Sequence, residues 1–189
     1  GFRIGFTGAA GRYNIQPDII TYGKIIGGGL PVGAYGASAA IMSKISPEGD
    51  VYQAGTLSGN PVAMAAGIAQ LTECLKKDFY SGLENKTKKF TGEISRQLAV
   101  GSWQETATPR LFTIGSIFWL AFTEKEKIKS AEEIDAGSMK HFRKIYHELL
   151  ENGIYLGPSG YEVGFVSEAH TEDDLKKAAA VLINCLKTH

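Results

Sequence analysis

The sequence predicts an α/β fold, because short apolar strands alternate along the chain with helices that carry one apolar face. It also predicts two domains, residues 1–80 and residues 81–189, because the pattern breaks between residues 80 and 100. The chain has 189 residues, of which 43% are hydrophobic. This is enough for one medium domain or two small domains, each with its own core.

The first predicted domain contains a strand, glycine-rich loops, a second strand and a helix. Residues 18–22 form a short, mostly apolar strand that follows Pro17. The helix has a well-marked start, because Asn60 can cap it and Pro61 suits the first helical position, where no N–H is needed. We expect its buried face to consist of apolar residues at helical spacing, namely Ile68, Leu71, Leu75 and Phe79.

The second predicted domain contains three helices and several short strands. Apolar residues three and four positions apart predict helices at residues 83–98, at residues 139–150 with an end at Asn152-Gly153, and from Thr171 onward. Strands are expected at residues 100–104 and 111–122, paired with each other, and at residues 154–156. The charged stretch 124–133 is typical of a solvated loop.

Charge and cysteine content argue against several classes of function. The 20 basic and 20 acidic side chains balance, which leaves no electrostatic footprint for nucleic acid or an anionic membrane. The longest apolar run, Ile114 to Phe122, is too short to span a bilayer. Cys74 and Cys185 lie far apart, so we expect no metal site. Two free thiols suit a reducing, cytoplasmic setting.

Lys24 is the first candidate for chemistry. It follows the first predicted strand and precedes Gly27-Gly28-Gly29, where the backbone can approach a bulky planar group. Desolvation of an amine in such a space favours its neutral, nucleophilic form, which Schiff-base chemistry with an aldehyde cofactor requires. A solvated lysine beside a flexible turn explains the same residues, so both interpretations stay open at this point.

Two longer motifs are more specific. They are GKIIGGGLPVGAYG at residues 23–36 and YQAGTLSGNP at residues 52–61. Together with YLGPSGYEVGFVS at residues 155–167, they resemble the class III pyridoxal-phosphate aminotransferases over essentially the whole chain. The resemblance implies the C-terminal portion of a fold-type I pyridoxal-phosphate-dependent transferase. Residues 1–80 would be the end of its large cofactor domain, and residues 81–189 its small α+β C-terminal domain.

The resemblance also implies a cofactor and a partner. The cofactor would be pyridoxal 5'-phosphate, with a pyridoxamine 5'-phosphate form in the cycle, and Lys24 would bind it and transfer protons. Thr56, with Gly55 beside it, would reach the cofactor phosphate of the neighbouring subunit, so that a homodimer shares its active sites. Judged by position alone, residues 55–60 are better explained by a loop that caps the following helix.

Gly28, Ser159 and Glu162 are further candidates for the substrate site. The resemblance places Gly28 near the active site, and it places the loop of Ser159 and Glu162, expected between two strands, over that site. A turn with left-handed residues explains Gly28 without a ligand, and simple solvation explains an exposed glutamate.

The segment 160–166 contains no basic residue, and this bears on the type of reaction. By the resemblance, many relatives have an arginine in this loop that binds the carboxylate of a separate keto acid. An enzyme that moves an amino group within one small-molecule substrate needs no such acceptor, so the sequence favours intramolecular transfer. A transaminase acting on a β- or ω-amine is the alternative.

The chain starts at Gly1-Phe2-Arg3, and the enzymes that it resembles are more than twice its length. We therefore expect the C-terminal part of a longer enzyme, without the aspartate that pairs with the cofactor ring nitrogen and without most of the phosphate site. Such a part would be inactive alone. A non-catalytic structural fragment is the second alternative.

Overall fold

The computed structural model describes residues 1–100 and 108–188, and the chain divides into two compact units, Gly1–Tyr80 and Ser81–His189. Both units contain helices and strands, which confirms the predicted α/β class. The assignment of the first unit to a larger cofactor domain stays a prediction.

The first unit pairs two short strands and ends in a long helix. In chain order its elements are α1 (Gly8–Arg12), β1 (Ile19–Tyr22), a 3-10 turn (Lys24–Gly27), β2 (Ala34–Ala37), α2 (Ala39–Met42) and α3 (Pro61–Cys74). Strands β1 and β2 are antiparallel, with Tyr22 opposite Ala34. Helix α3 begins as predicted, because the Asn60 side-chain oxygen accepts hydrogen bonds from the backbone N–H groups of Val62 and Ala63, both at 3.1 Å.

The predicted buried face of α3 is wrong. Ile68 is 68% exposed and Leu75 is 65% exposed, while the helix buries Ala63, Gly67 and Cys74. The reason is a close backbone contact, since the helix turns its small residues toward the 3-10 turn. Large side chains on that face would hold the two backbones apart.

The second unit is built on helices around a three-stranded sheet. Its elements are α4 (Phe79–Val100, of which the first two residues precede the unit boundary), β3 (Pro109–Ile114), β4 (Ile117–Phe122), a 3-10 turn (Ala131–Glu133), α5 (Ser138–Glu151), β5 (Gly164–Phe165) and α6 (Glu172–Thr188). The sheet order is β3-β4-β5, and both pairs are antiparallel. The predicted apolar faces of α4 and α6 are confirmed, with buried residues Phe90, Ile94, Leu98, Ala179, Leu182 and Leu186.

Two strand predictions in this unit are wrong, and a third lies partly outside the described residues. The stretch 111–122 is a hairpin rather than one strand, because Gly115 has a φ of +57° and turns the chain with Ser116. Residues 154–156 form no strand, since the Ile154 N–H donates to the Leu149 carbonyl at 2.8 Å and closes the end of α5. The edge of β4 that does not face β3 pairs with β5, and not with residues 154–156. Residues 101–104 lie outside the part of the chain that the structure describes.

The start of α6 follows the prediction through a reciprocal cap. The Asp174 N–H donates to the Thr171 hydroxyl at 3.1 Å, and the Thr171 N–H donates to the Asp174 carboxylate at 2.8 Å. Both cysteines are free and buried. Among the described residues, no helix combines the length and the apolar character needed to cross a membrane.

Candidate active site

Lys24 is the first residue of the 3-10 turn that follows β1. Its φ is +52°, a left-handed value that is uncommon for a residue with a side chain. The side chain is exposed, and it has no hydrogen-bond or ion-pair partner among residues 1–100 and 108–188. The turn therefore holds the backbone in a specific conformation and leaves the amine available.

Helix α3 holds this turn through two glycines. A Cβ atom on Gly67 would lie 2.4 Å from the Ile26 carbonyl oxygen, and a Cβ atom on Gly28 would lie 2.4 Å from the Ala66 carbonyl oxygen. Gly28 also has a φ of +56°, which a side chain disfavours. The structure thus gives Gly28 a packing role against α3, and its predicted contact with the substrate stays a prediction.

Lys24 lines a groove of about 640 Å³ in the first unit. The lining includes the aromatic rings of Phe2, Phe6 and Tyr22 and the cationic side chains of Arg3 and Lys24, and it includes no Asp or Glu among the described residues. Phe2 contacts Tyr22 with ring centroids 5.6 Å apart. Aromatic walls and positive charge suit a planar molecule with a negative group, so the residues present fit a phosphorylated aromatic cofactor.

Gly55 and Thr56 lie in the turn before α3. The Ser58 N–H donates to the Gly55 carbonyl at 2.9 Å, and Thr56 is exposed. The Lys24 turn packs on the same helix at Gly67, seven residues beyond Asn60, which corresponds to about 10 Å along the helix axis. Helix α3 thus follows the Gly55–Thr56 turn at its start and contacts the Lys24 turn near its middle.

Ser159 and Glu162 lie in the second unit, in a loop between α5 and β5, and not between two strands as predicted. The Glu162 N–H donates to the Ser159 carbonyl at 2.9 Å, and the exposed Glu162 side chain folds over Gly157. A groove of about 530 Å³ beside this loop is lined by Glu162 and by Phe118, Tyr155 and His170, among others. The Ser159 hydroxyl points to the Met139 sulfur at 3.8 Å.

Sequence reasoning missed the role of Trp119. The side chain is half-buried, and its indole N–H donates to the Gly160 carbonyl at 2.7 Å. The two residues are 41 positions apart, so no local pattern could have indicated the bond.

Among residues 1–100 and 108–188, no group of three or more His, Cys, Asp or Glu side chains could hold a metal ion.

Comparison with known proteins gives a family match. The family model for aminotransferase class-III matches residues 1–186. Among curated relatives, glutamate-1-semialdehyde 2,1-aminomutase of Bdellovibrio bacteriovorus is 41% identical over 97% of this chain and 42% of its own length. The enzyme of the same name from Legionella pneumophila is 45% identical over 100% of this chain and 44% of its own length. The chain thus spans less than half the length of these relatives.

Solved structures show the same fold. An omega-transaminase from Sphaerobacter thermophilus aligns with a TM-score of 0.82 and 22% identity, over 98% of this chain and 42% of that one. A glutamate-1-semialdehyde-aminomutase variant from Pseudomonas aeruginosa PAO1 in complex with PMP aligns with a TM-score of 0.78 and 22% identity, over 97% of this chain and 42% of that one. At these identities the likeness concerns the fold alone.

Proposed function

We infer the function from one premise, which is that the chain belongs to the class III aminotransferase family. We propose that the protein containing this chain converts glutamate-1-semialdehyde to 5-aminolevulinate by intramolecular amino transfer, a step of tetrapyrrole (porphyrin) biosynthesis. Curated relatives with that enzyme name, 41% and 45% identical across this chain, support the reaction. The observation in the structure that carries the proposal is the Lys24 turn, in which the exposed Lys24 lines a cationic, aromatic groove.

In this proposal the protein uses pyridoxal 5'-phosphate and its pyridoxamine 5'-phosphate form. When bound, the cofactor supplies a conjugated ring that accepts the electrons released at the reacting carbon. The Lys24 amine holds the cofactor and, when free, carries a proton to and from the substrate as general base and acid. Gly28 and Gly67 keep the turn against α3, so that the amine starts from a fixed backbone position.

Four more residues have roles in the proposal, namely Gly55, Thr56, Ser159 and Glu162. Thr56 and Gly55 would bind the cofactor phosphate of a second subunit, which makes the enzyme a homodimer. Ser159 and Glu162 would contact the substrate. A cytoplasmic location is part of the proposal, supported by two free thiols.

The test uses the full-length protein loaded with pyridoxamine phosphate. Wild type should turn over glutamate-1-semialdehyde without any added keto acid. Lys24→Ala should lose at least about a hundredfold in kcat, because removal of a general acid–base group has effects of this size. Lys44→Ala, which removes an exposed lysine of the same unit, should retain wild-type turnover.

A second readout does not depend on turnover. After borohydride reduction of the protein loaded with pyridoxal phosphate, peptide mass mapping should find the cofactor mass on the peptide that contains Lys24. A requirement for added keto acid would point instead to a transaminase acting on a β- or ω-amine. Failure of the full-length protein to bind the cofactor would favour a non-catalytic role.

A further inference from the structure

The loop before β5 is held from two sides at Gly160. On one side the Trp119 indole N–H donates to the Gly160 carbonyl at 2.7 Å, and on the other the Gly160 N–H donates to the Met139 sulfur at 3.1 Å. Gly160 is buried, and a Cβ atom there would lie 2.9 Å from the Phe142 Cβ and 3.0 Å from the Met139 sulfur. We call Trp119, Gly160 and Met139 the Gly160 clamp.

The clamp sets the positions of Ser159 and Glu162. Ser159 is the neighbour of Gly160, and its hydroxyl accepts from the Tyr161 N–H at 3.3 Å. The Ser159 carbonyl in turn accepts a hydrogen bond from the Glu162 N–H at 2.9 Å. Loss of the two hydrogen bonds at Gly160 would therefore free Ser159 and Glu162, since each is connected to Gly160 through the same tight turn.

Trp119 is itself placed by a rigid element. It lies on β4 directly opposite Phe112 of β3, and the two rings stack with centroids 5.6 Å apart and an interplanar angle of 30°. Side chains on paired strands hold their direction better than side chains on loops. The indole N–H is therefore a fixed donor to which the loop attaches.

We propose that Trp119 is a positioning residue, and that its indole N–H orders the loop that presents Ser159 and Glu162 to the substrate. This assignment rests on the proposed function, because it assumes that Glu162 serves the substrate site. The prediction is that Trp119 affects turnover through Glu162 and not through overall stability.

The first arm of the test measures the loop itself in the full-length protein. Trp119→Phe keeps a stacked ring and removes the N–H, which leaves the buried Gly160 carbonyl without its donor. Amide hydrogen exchange at residues 160–162 should become roughly tenfold faster. Thr113→Val, which removes an exposed hydroxyl from the same hairpin, should leave these amides unchanged.

The second arm is a double-mutant cycle on kcat/KM with Trp119→Phe and Glu162→Gln. Trp119→Phe should lower kcat/KM roughly tenfold when Glu162 is present and less than about threefold in the Glu162→Gln background. Equal losses in both backgrounds, or unchanged exchange at residues 160–162, would overturn the proposal. A wild-type protein that does not convert glutamate-1-semialdehyde would instead overturn the proposed function, and the exchange arm would still show whether Trp119 holds the loop.

Discussion

Replacement of Gly67 by alanine tests whether α3 holds the Lys24 turn by backbone contact. An alanine Cβ would lie 2.4 Å from the Ile26 carbonyl oxygen, and the two backbones must move about 0.6 Å apart to reach even 3.0 Å. Overpacking of this kind costs about 1–3 kcal/mol, whereas glycine to alanine in a helix interior normally gains about 1 kcal/mol. Because the obstacle is backbone and cannot rotate away, we expect the overpacking cost to lie in the upper part of this range and the net loss to be about 1–2 kcal/mol.

The assay is urea denaturation followed by circular dichroism, with a matched substitution on another helix. Gly92 lies inside α4, and a Cβ atom there would meet nothing within 4 Å. Gly92→Ala should therefore stabilise the protein by up to about 1 kcal/mol, while Gly67→Ala destabilises it. If Gly67→Ala raises the denaturation midpoint as Gly92→Ala does, the close contact between α3 and the Lys24 turn does not exist as described.

Two further predictions concern the second unit. The side-chain and backbone hydrogen bonds from Thr171 hold the pKa of the Asp174 carboxyl below its usual range. The contribution of these bonds to folding stability is therefore present above the ordinary aspartate pKa, and it is lost as the pH falls through the lowered pKa. Thr171→Ala should raise the pKa of Asp174 toward the ordinary value in a carboxyl NMR titration, and an unchanged titration would contradict the cap. Burial, with a smaller contribution from Glu148, raises the pKa of the Cys185 thiol to about 11. Iodoacetamide at mildly alkaline pH should therefore leave Cys185 unmodified in the native protein and alkylate it in denaturing urea, and rapid native alkylation would refute its burial.

The helix ends show how far local sequence carries the fold. Asn60 was predicted as a cap and Thr171 as the start of the last helix. Both predictions are confirmed, because each helix start depends on hydrogen bonds between groups within three residues of each other. The hairpin at Gly115 was missed although it is local. A mostly apolar run conceals a two-residue turn when only Gly115 and Ser116 mark it.

The candidate site likewise contains residues that the sequence indicates and contacts that it does not. Lys24, Thr56 and Glu162 were recognisable because they lie in motifs shared by a family to which the chain belongs. Their surroundings were not recognisable. Periodicity assigned Ile68 and Leu75 to the buried face of α3, but a helix buries whichever face its neighbour approaches, and here the neighbour is a backbone that only small residues can accept.

By itself, the sequence determined the fold class, the family and the residue that we propose as the catalytic lysine. Each of these depends on residue types at short, fixed spacing, which the chain carries whatever its path in space. The tertiary structure alone decided that Gly28 and Gly67 fix the Lys24 turn and that Trp119 holds Gly160. These contacts join residues about 40 positions apart, and they depend on how the backbone returns, which no local pattern encodes.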